Sequence, residues 1–405
     1  MRRLLLILGF FLLFATEILR VYFIMPFPGS QHRNTLQLAY FIDQHRIWFR
    51  ILGFVIIGYA LLIQPAKRAN PYAPRRKKSN WPAVALIFFT VLYAVVFYLF
   101  NYRFEADNMF HQPHSLSFTD SSNHRLDEQR LVIGVVVGGE ARAYPIRLIG
   151  YHHQVRDSLG HQAIMITYCT VCRTGRVYSP LVYGRPQTFR LVGMDHFNAM
   201  FEDEKTGSWW QQATGVAVAG PLKGTKLAEI PSGQFTLGAW LHMHPDSKIM
   251  QPDSSYTKQY ANLDDYDNGK IEGSLEHRDS GSWKAKSWVI GVLAGGHARA
   301  YDWSTLGPVT EDSVGTVPVL VYRQDSVNFR VWSRLVDGKT LRFKPAIREI
   351  LGAGLTDDAT GGFWNGDGIC IDGPLKGRHL QPMQSYQEFW HSWRYFHPGT
   401  TRFKR

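Results

Sequence analysis

Residues 131–144 read LVIGVVVGGEARAY, and residues 288–301 read WVIGVLAGGHARAY. Further along the chain, GVAVAGPLKG at 215–224 is matched by GICIDGPLKG at 368–377. Both regions then close on an aromatic-rich segment and a His-Pro pair, at 244–245 and 397–398. Matches at three places in the same order predict an internal duplication with about 110–120 residues in each copy.

The opening segment of each copy predicts its fold class. A β-branched run, a Gly-Gly turn and a second short run form the pattern of a β-hairpin. Alternating residues at 163–168 and 317–322 predict further strands, and segments 236–244 and 386–395 predict one helix per copy. We therefore expect an α+β domain of mainly antiparallel sheet, with the two copies packed around a pseudo-twofold axis.

Three apolar stretches precede the repeats, at residues 4–25, 48–63 and 81–100. Each is long enough to cross a hydrocarbon core of about 30 Å. Arg2, Arg3 and a loop at 67–78 with six Lys or Arg residues predict the cytoplasmic side. We expect a multi-pass protein of the cytoplasmic membrane whose C-terminal part lies on the periplasmic or extracellular side. The expected organisation is a three-helix anchor (1–103), a first repeat (104–251), a polar linker (252–286) and a second, degenerate repeat (287–405).

The basic excess of the chain lies mainly in the anchor. Residues 1–103 hold 13 of the 45 Lys and Arg residues but only two of the 33 Asp and Glu residues. The exported part is therefore close to neutral, which gives no reason to expect a nucleic-acid partner. The expected partner of the anchor is the lipid bilayer. Because Glu17 and Arg20 are the main ionisable residues in the predicted spans, we expect an anchor without a transport path.

The duplication separates fold residues from candidates for chemistry. A feature of both copies is expected to be structural, whereas a feature of one copy is a candidate for function. Only the first copy contains Cys169 and Cys172, in the segment TYCTVCRTG at 167–175, where the second copy reads VYRQD at 321–325. Only the first copy contains the pair His152 and His153. One predicted strand separates the two pairs, so we expect them to be neighbours across a hairpin.

Two cysteines spaced C-x-x-C can bind one metal ion or form a small disulfide loop, and imidazole is a natural further ligand. Copper at Cys169, Cys172, His152 and His153 would favour electron transfer, whereas zinc with an open position would favour hydrolysis. The Thr-Gly that follows predicts a turn into a strand, unlike the helix N-terminus of thioredoxin-type pairs. Arg173 either lowers the thiol pKa, holds an anionic substrate or lies at the surface.

At these residues the sequence resembles the bacterial and archaeal domain of unknown function 3179. The family pattern has a His-His pair, Tyr-Cys-x-x-Cys, Thr-Gly-Ser-x-Trp and Gly-Pro-Leu-x-Gly. These motifs correspond here to 152–153, 168–172, 206–210 and 220–224. The resemblance covers residues 113–398. The chain differs at Thr170 and Val171, where many members have Pro-Leu, and this change leaves the ligand residues intact.

We interpret the chain as a metal- or thiol-dependent redox protein with Cys169, Cys172 and Arg173 as catalytic residues. Copper and zinc are the expected metals, and an extracytoplasmic protein or small molecule is the expected partner. Two alternatives remain open. One is a non-catalytic binding module with a structural disulfide or zinc, and the other is a cysteine-nucleophile enzyme with His152 or His153 as base.

Overall fold

The structure, a computed structural model, describes residues 1–63, 80–271 and 273–404. Its helices are α1 (Arg2–Tyr22), α2 (Leu36–Leu62), α3 (Trp81–Tyr98), α4 (Ala106–Met109), α5 (Ile146–His152), α6 (Leu237–Met243), α7 (Thr257–Ala261) and α8 (Trp390–Phe396). A π-helical turn, Leu99–Arg103, continues α3, and 3₁₀ turns cover Ser30–His32 and Ser254–Tyr256.

The strands are β1 (Phe118–Asp120), β2 (Leu131–Val137), β3 (Glu140–Pro145), β4 (Gln154–Leu159), β5 (Gln162–Cys169), β6 (Thr174–Tyr178), β7 (Leu181–Val182), β8 (Arg185–Pro186), β9 (Phe189–Asp195), β10 (Asn198–Asp203), β11 (Trp209–Gln211), β12 (Ala217–Ala219), β13 (Ser232–Thr236), β14 (Lys248–Met250), β15 (Trp288–Ala294), β16 (His297–Asp302), β17 (Val309–Val314), β18 (Val317–Arg323), β19 (Phe329–Ser333), β20 (Leu335–Val336), β21 (Lys339–Thr340), β22 (Phe343–Arg348), β23 (Gly352–Asp357), β24 (Phe363–Trp364), β25 (Cys370–Asp372), β26 (Ser385–Phe389) and β27 (Thr401–Arg402).

The chain divides into two compact units. Unit 1 comprises Met1–His111, Phe189–Trp210 and Ala217–Lys223. Unit 2 comprises Gln112–Thr188, Gln211–Val216 and Gly224–Arg405.

Unit 1 contains three helices that are long and apolar enough to cross a membrane, Arg2–Tyr22, Leu36–Leu62 and Trp81–Arg103. They indicate membrane association. The second helix starts 12 residues before the predicted span at 48, because two charged residues, Asp43 and Arg46, interrupt the apolar pattern without breaking the helix. Arg46 pairs with Asp43 at 2.6 Å. The basic loop at 67–78 lies outside the described residues.

Glu17 of α1 is fully buried and is the centre of a polar network in unit 1. Its carboxylate accepts hydrogen bonds from Nε and Nη2 of Arg50, both at 2.7 Å, and from Asn101 Nδ2 at 2.9 Å. The Tyr93 hydroxyl donates a fourth hydrogen bond at 3.1 Å. Because these partners come from α2, α3 and the turn after it, the carboxylate joins the helices to each other. Buried charges in such helices are tolerated when they are paired in this way.

The remainder of unit 1 is a sheet with the order β12-β11-β10-β9. The backbone N–H of Met194 donates to the carbonyl of Ile24 at 2.6 Å, and Gln37 Nε2 donates to the carbonyl of Val218 at 2.8 Å. These bonds hold the sheet against α1 and α2. A segment of the expected first repeat therefore clusters with the apolar helices.

Unit 2 has a mainly antiparallel architecture, as predicted, and two of its sheets share one connectivity. The first has the order β1-β14-β3-β2-β13, and the second has the order β26-β15-β16-β27. The β2–β3 hairpin turns at Gly138 and Gly139, with φ of 58° and 84°, and the β15–β16 hairpin turns at Gly295 and Gly296. Two consecutive residues with positive φ form the tight turn that favours glycine. That the two halves arose by duplication stays a prediction.

A tryptophan from a short helix packs onto each hairpin. A Cβ on Gly134 would lie 2.2 Å from the Trp240 ring, and a Cβ on Gly291 would lie 2.3 Å from the Trp393 ring. Glycine in each Ile-Gly-Val segment is therefore required by close packing. The predicted helix at 386–395 is partly wrong, since 385–389 form β26 paired with β15 and only Trp390–Phe396 is helical.

Candidate functional site

The C-x-x-C segment forms a turn between two strands of unit 2. Cys169 ends β5 and is paired with Thr174, the first residue of β6. Cys172 lies in the turn, and both cysteines are thiols with no exposed surface. The structure therefore places the pair in a strand-turn-strand, as the Thr-Gly sequence predicts, with no helix N-terminus to lower the thiol pKa.

The two thiols lie next to each other. The Cys172 thiol interacts with Cys169 and with the hydroxyl of Ser392 in α8. Burial raises the pKa of Cys172 well above its ordinary value, and the neighbouring Cys169 raises it further. The ammonium of Lys286 acts in the opposite direction. At neutral pH the Cys172 thiol is therefore protonated in this conformation, and any thiolate chemistry requires a change around it.

Two basic side chains converge on the turn between the cysteines. Lys286 Nζ donates to the carbonyl of Val171 at 2.5 Å, and His391 Nε2 donates to the same carbonyl at 3.2 Å. Burial lowers the pKa of both groups, to about 3 for His391, which also feels the charge of Lys286. The carbonyl oxygen of Val171 thus fixes Lys286 and His391 beside the thiols.

The two predicted histidine ligands lie at the C-terminal end of α5, immediately before β4, the strand that pairs with β5. The carbonyl of His153 accepts a hydrogen bond from the N–H of Tyr168 at 3.0 Å, so the His and Cys pairs are close in the hairpin, as expected. His152 Nε2 lies 2.7 Å from the Tyr260 hydroxyl. His153 Nδ1 donates to the Gly150 carbonyl at 2.8 Å, and burial lowers the pKa of His153 to about 4. These two hydrogen bonds orient the imidazole rings of His152 and His153.

The donor set provides a test of the predicted metal site. Within residues 1–63, 80–271 and 273–404, no group of three or more His, Cys, Asp or Glu side chains is arranged to hold a metal ion. The adjacent sulfurs of Cys169 and Cys172 supply two soft donors, which suit a soft ion such as Cu(I). A copper or zinc site that also includes His152 and His153 stays a prediction.

Arg173 is buried and has a positive φ of 54°. Its Nε donates to Gln387 Oε1 at 3.1 Å, and its guanidinium lies 3.9 Å from the centre of the Trp288 ring. Arg278 also stacks on this ring, at 3.6 Å. These described contacts hold the Arg173 side chain against the second half of unit 2. Its proposed effect on the thiol pKa stays a prediction.

A family model described as a protein of unknown function (DUF3179) matches residues 111–400. The chain belongs to the DUF3179 family. The match confirms the resemblance that the ordered motifs indicate. No curated protein and no solved structure matches the chain.

In this DUF3179 chain, a buried ion pair continues the polar network away from the thiols. The Thr174 hydroxyl lies 3.3 Å from Ser392 Oγ, and Ser392 Oγ donates to Glu388 Oε2 at 3.3 Å. Glu388 is fully buried and forms a short ion pair with Arg176, which is also buried. The network therefore joins the cysteine turn of the first half to β26 and α8 of the second.

Sequence reasoning missed Lys286, His391 and Ser392 in this DUF3179 site. They lie more than 100 residues after the cysteines in the sequence, so no local motif includes them. The comparison of the two copies does contain one signal for His391 and Ser392. At the positions of α6 that correspond to His391 and Ser392, the first half has Gly238 and Ala239, so the polar residues occur in one half only.

Proposed function

We propose that the protein is a membrane-anchored, extracytoplasmic redox protein whose reacting group is the dithiol of Cys169 and Cys172. The observation that carries this proposal is the contact between the two buried thiols at one turn. Lys286 supplies a positive charge beside them, which favours the thiolate on which thiol exchange depends.

The proposed reaction is exchange with a disulfide of an extracytoplasmic partner. One thiol of the pair loses its proton, and the resulting thiolate attacks one partner sulfur, which forms a mixed disulfide and releases the other sulfur as a thiolate. The second cysteine then displaces the partner. The products are a Cys169–Cys172 disulfide and a partner dithiol, so two electrons pass to the partner and the thiol protons balance.

The proposed exchange requires that the partner disulfide can reach the thiols. Both are buried under residues of α8 and the segment at 284–287, so exchange needs an opening of this cover. Opening would also remove the burial that raises the pKa of Cys172. The same motion would therefore expose and activate the pair.

The cysteines would also be the residues that hold a soft metal ion. A copper ion would supply one-electron transfer there, and a zinc ion would supply a Lewis acid. In either case the described residues contribute the two thiolates and the neighbouring charge of Lys286.

The complete burial of both thiols favours a second candidate function. Buried cysteines with raised pKa values are usually inert, so the pair would then brace a non-catalytic binding domain, as a disulfide or as thiols. The extracytoplasmic location in both candidates rests on the basic residues predicted to face the cytoplasm.

One experiment distinguishes these functions. The full-length protein, with Cys370→Ser to leave two cysteines, is purified in detergent and equilibrated in glutathione buffers of graded potential. Acid quenching, alkylation and mass spectrometry then give the fraction of the 169–172 disulfide, and elemental mass spectrometry gives the metal content.

A reversible two-electron transition that is lost in Cys169→Ser and Cys172→Ser supports the redox proposal. A disulfide that resists all the buffers, or thiols that never oxidise, supports the bracing role instead. Stoichiometric metal that is lost in both variants assigns a metal centre to the same residues.

A further inference from the structure

A groove of about 530 Å³ lies between the two halves of unit 2 and includes neither cysteine. The first half contributes Phe235, Trp240 and Met243, and the second half contributes Arg330, Trp332 and Met383. A volume of this size accommodates a small organic molecule. The lining combines these aromatic and apolar side chains and the Arg330 guanidinium with polar residues such as Gln234, His244 and Gln384.

Arg330 has no acidic partner at contact distance. Its Nη1 donates to the Phe329 carbonyl at 3.1 Å, its Nη2 lies 3.0 Å from the Met243 sulfur, and its guanidinium lies 4.7 Å from the Phe235 ring. Among the described residues, no carboxylate oxygen lies within 4.0 Å of its nitrogens. A thioether is a weak acceptor, so the guanidinium keeps unused hydrogen-bonding capacity toward the groove.

The other half of unit 2 shows how the equivalent arginine is neutralised. Val177 and Val331, the residues after Arg176 and Arg330, accept equivalent backbone hydrogen bonds from Ile230 and Met383. Arg176 forms an ion pair with Glu388.

The sheet position of Glu388, the partner of Arg176, has an equivalent position in the first half. Glu388 pairs with Val289 in its sheet, and Phe235 occupies the matching position opposite Val132. An aromatic ring therefore stands beside Arg330 where a carboxylate stands beside Arg176.

We propose that this groove binds an organic monoanion with an aromatic or apolar body, whose carboxylate pairs with Arg330. The body packs against Phe235, Trp240 and Trp332, and the carboxylate supplies Arg330 with the negative charge that Glu388 supplies to Arg176. Burial lowers the pKa of Arg330, and the charges of Asp367 and Asp325, which lie beyond contact distance, act in the opposite direction. Asp367 also lines the groove and opposes the binding of an anion.

The test uses the full-length protein in lipid nanodiscs and isothermal titration with 2-naphthoate, with empty nanodiscs as the reference. The neutral isostere 2-naphthamide measures the contribution of the charge. Arg330→Gln removes the guanidinium, Arg330→Lys keeps a positive charge, and Asp367→Asn removes the opposing carboxylate. Arg378→Gln is the matched control, because Arg378 is a surface residue outside the groove.

We expect saturable binding of 2-naphthoate and a roughly tenfold or larger loss of affinity in Arg330→Gln, as for other charge-assisted hydrogen bonds. Arg330→Lys should retain part of the affinity, Asp367→Asn should increase it, and Arg378→Gln should leave it unchanged. Equal binding of 2-naphthamide, no saturable binding of 2-naphthoate, or wild-type affinity in folded Arg330→Gln would overturn the proposal. If Arg330→Gln does not fold, Arg330→Lys and Asp367→Asn decide the question.

Discussion

The two halves of unit 2 share hairpins, sheet order and a tryptophan on each hairpin, but they differ in where their polar residues are placed. The first half has a dithiol at the end of β5, where β18 of the second half ends in Arg323. Arg176 pairs with a carboxylate, whereas Arg330 faces an aromatic ring. The difference teaches that one framework can carry two different arrangements of polar residues.

Each of these sites is completed by the opposite half. The dithiol of the first half meets Ser392 of the second, and Arg330 of the second half meets Phe235 of the first. Neither half alone would therefore form its site. The following predictions test this comparison.

The largest effect is expected from Glu388→Ala. The change removes the closer of the two carboxylates from buried Arg176 and leaves only Glu229, 3.7 Å from its Nε, which we expect to lower the free energy of unfolding by about 3–5 kcal/mol. Denaturant unfolding of the detergent-solubilised protein, followed by tryptophan fluorescence, measures the loss. Phe235→Ala at the matching position is the control. This variant also removes a large side chain, but an uncharged one, so the decrease in the free energy of unfolding should not depend on ionic strength or pH. A loss below 1 kcal/mol for Glu388→Ala would contradict the assigned role of the ion pair.

Acid should destabilise the protein through a buried histidine of the first half. Burial lowers the pKa of His153 in the folded protein to about 4, below the value of about 6.5 in the unfolded chain. The unfolded chain therefore binds more protons between these values, and stability falls as the pH drops from 6.5 to 4. We expect a loss of about 3 kcal/mol over this window.

The variant His153→Gln should flatten the pH dependence of unfolding in this window. His391→Gln should have a similar effect over a window that extends to about pH 3, because burial lowers the pKa of His391 as well. The matched control is His242→Gln, at a largely exposed histidine. Unchanged pH dependence in His153→Gln would show that this residue is not buried in its neutral form.

Packing at the two hairpins should be equivalent. Gly134→Ala and Gly291→Ala each place a methyl group against a tryptophan ring, so each should destabilise the protein by about 1–3 kcal/mol through overpacking. The control is Gly58→Ala in α2, where the added methyl group would meet no atom within 4 Å. Gly139→Ala is a poor control, because the positive φ of Gly139 adds backbone strain to the substitution. Clearly unequal losses in the two hairpins would break the structural equivalence of the halves.

The smallest effect is expected from Lys286→Gln. Loss of the ammonium should raise the pKa of Cys172 further, and alkylation of the pair in the folded protein should become a few-fold slower at pH 8. Mass spectrometry of time points in the Cys370→Ser background gives the rate. Lys284→Gln, at an exposed lysine two residues earlier, should leave it unchanged. A faster reaction in Lys286→Gln would instead show that the lysine mainly closes the cover over the thiols.

Much of the framework could be predicted from local patterns. The Gly-Gly hairpins, the strands at 162–169 and 317–323 and the turn at the cysteines follow from residue alternation and turn chemistry. Two predictions failed in part for a common reason. Charged residues within α2 concealed its length, and the residues of β26 have a pattern that a helix also fits, so partners elsewhere in the chain decided both.

The sequence by itself determined the three apolar helices, the paired hairpins and the placement of Cys169 and Cys172 in one turn, because each depends on neighbouring residues. Only the tertiary structure decided that the thiols are buried beside Ser392 and Lys286, that Arg176 is neutralised and that Arg330 lines a groove. These properties depend on side chains separated by 95 to 220 residues, whose meeting is fixed by packing between the halves of unit 2. Burial then sets the pKa values, and no local pattern encodes burial between distant segments.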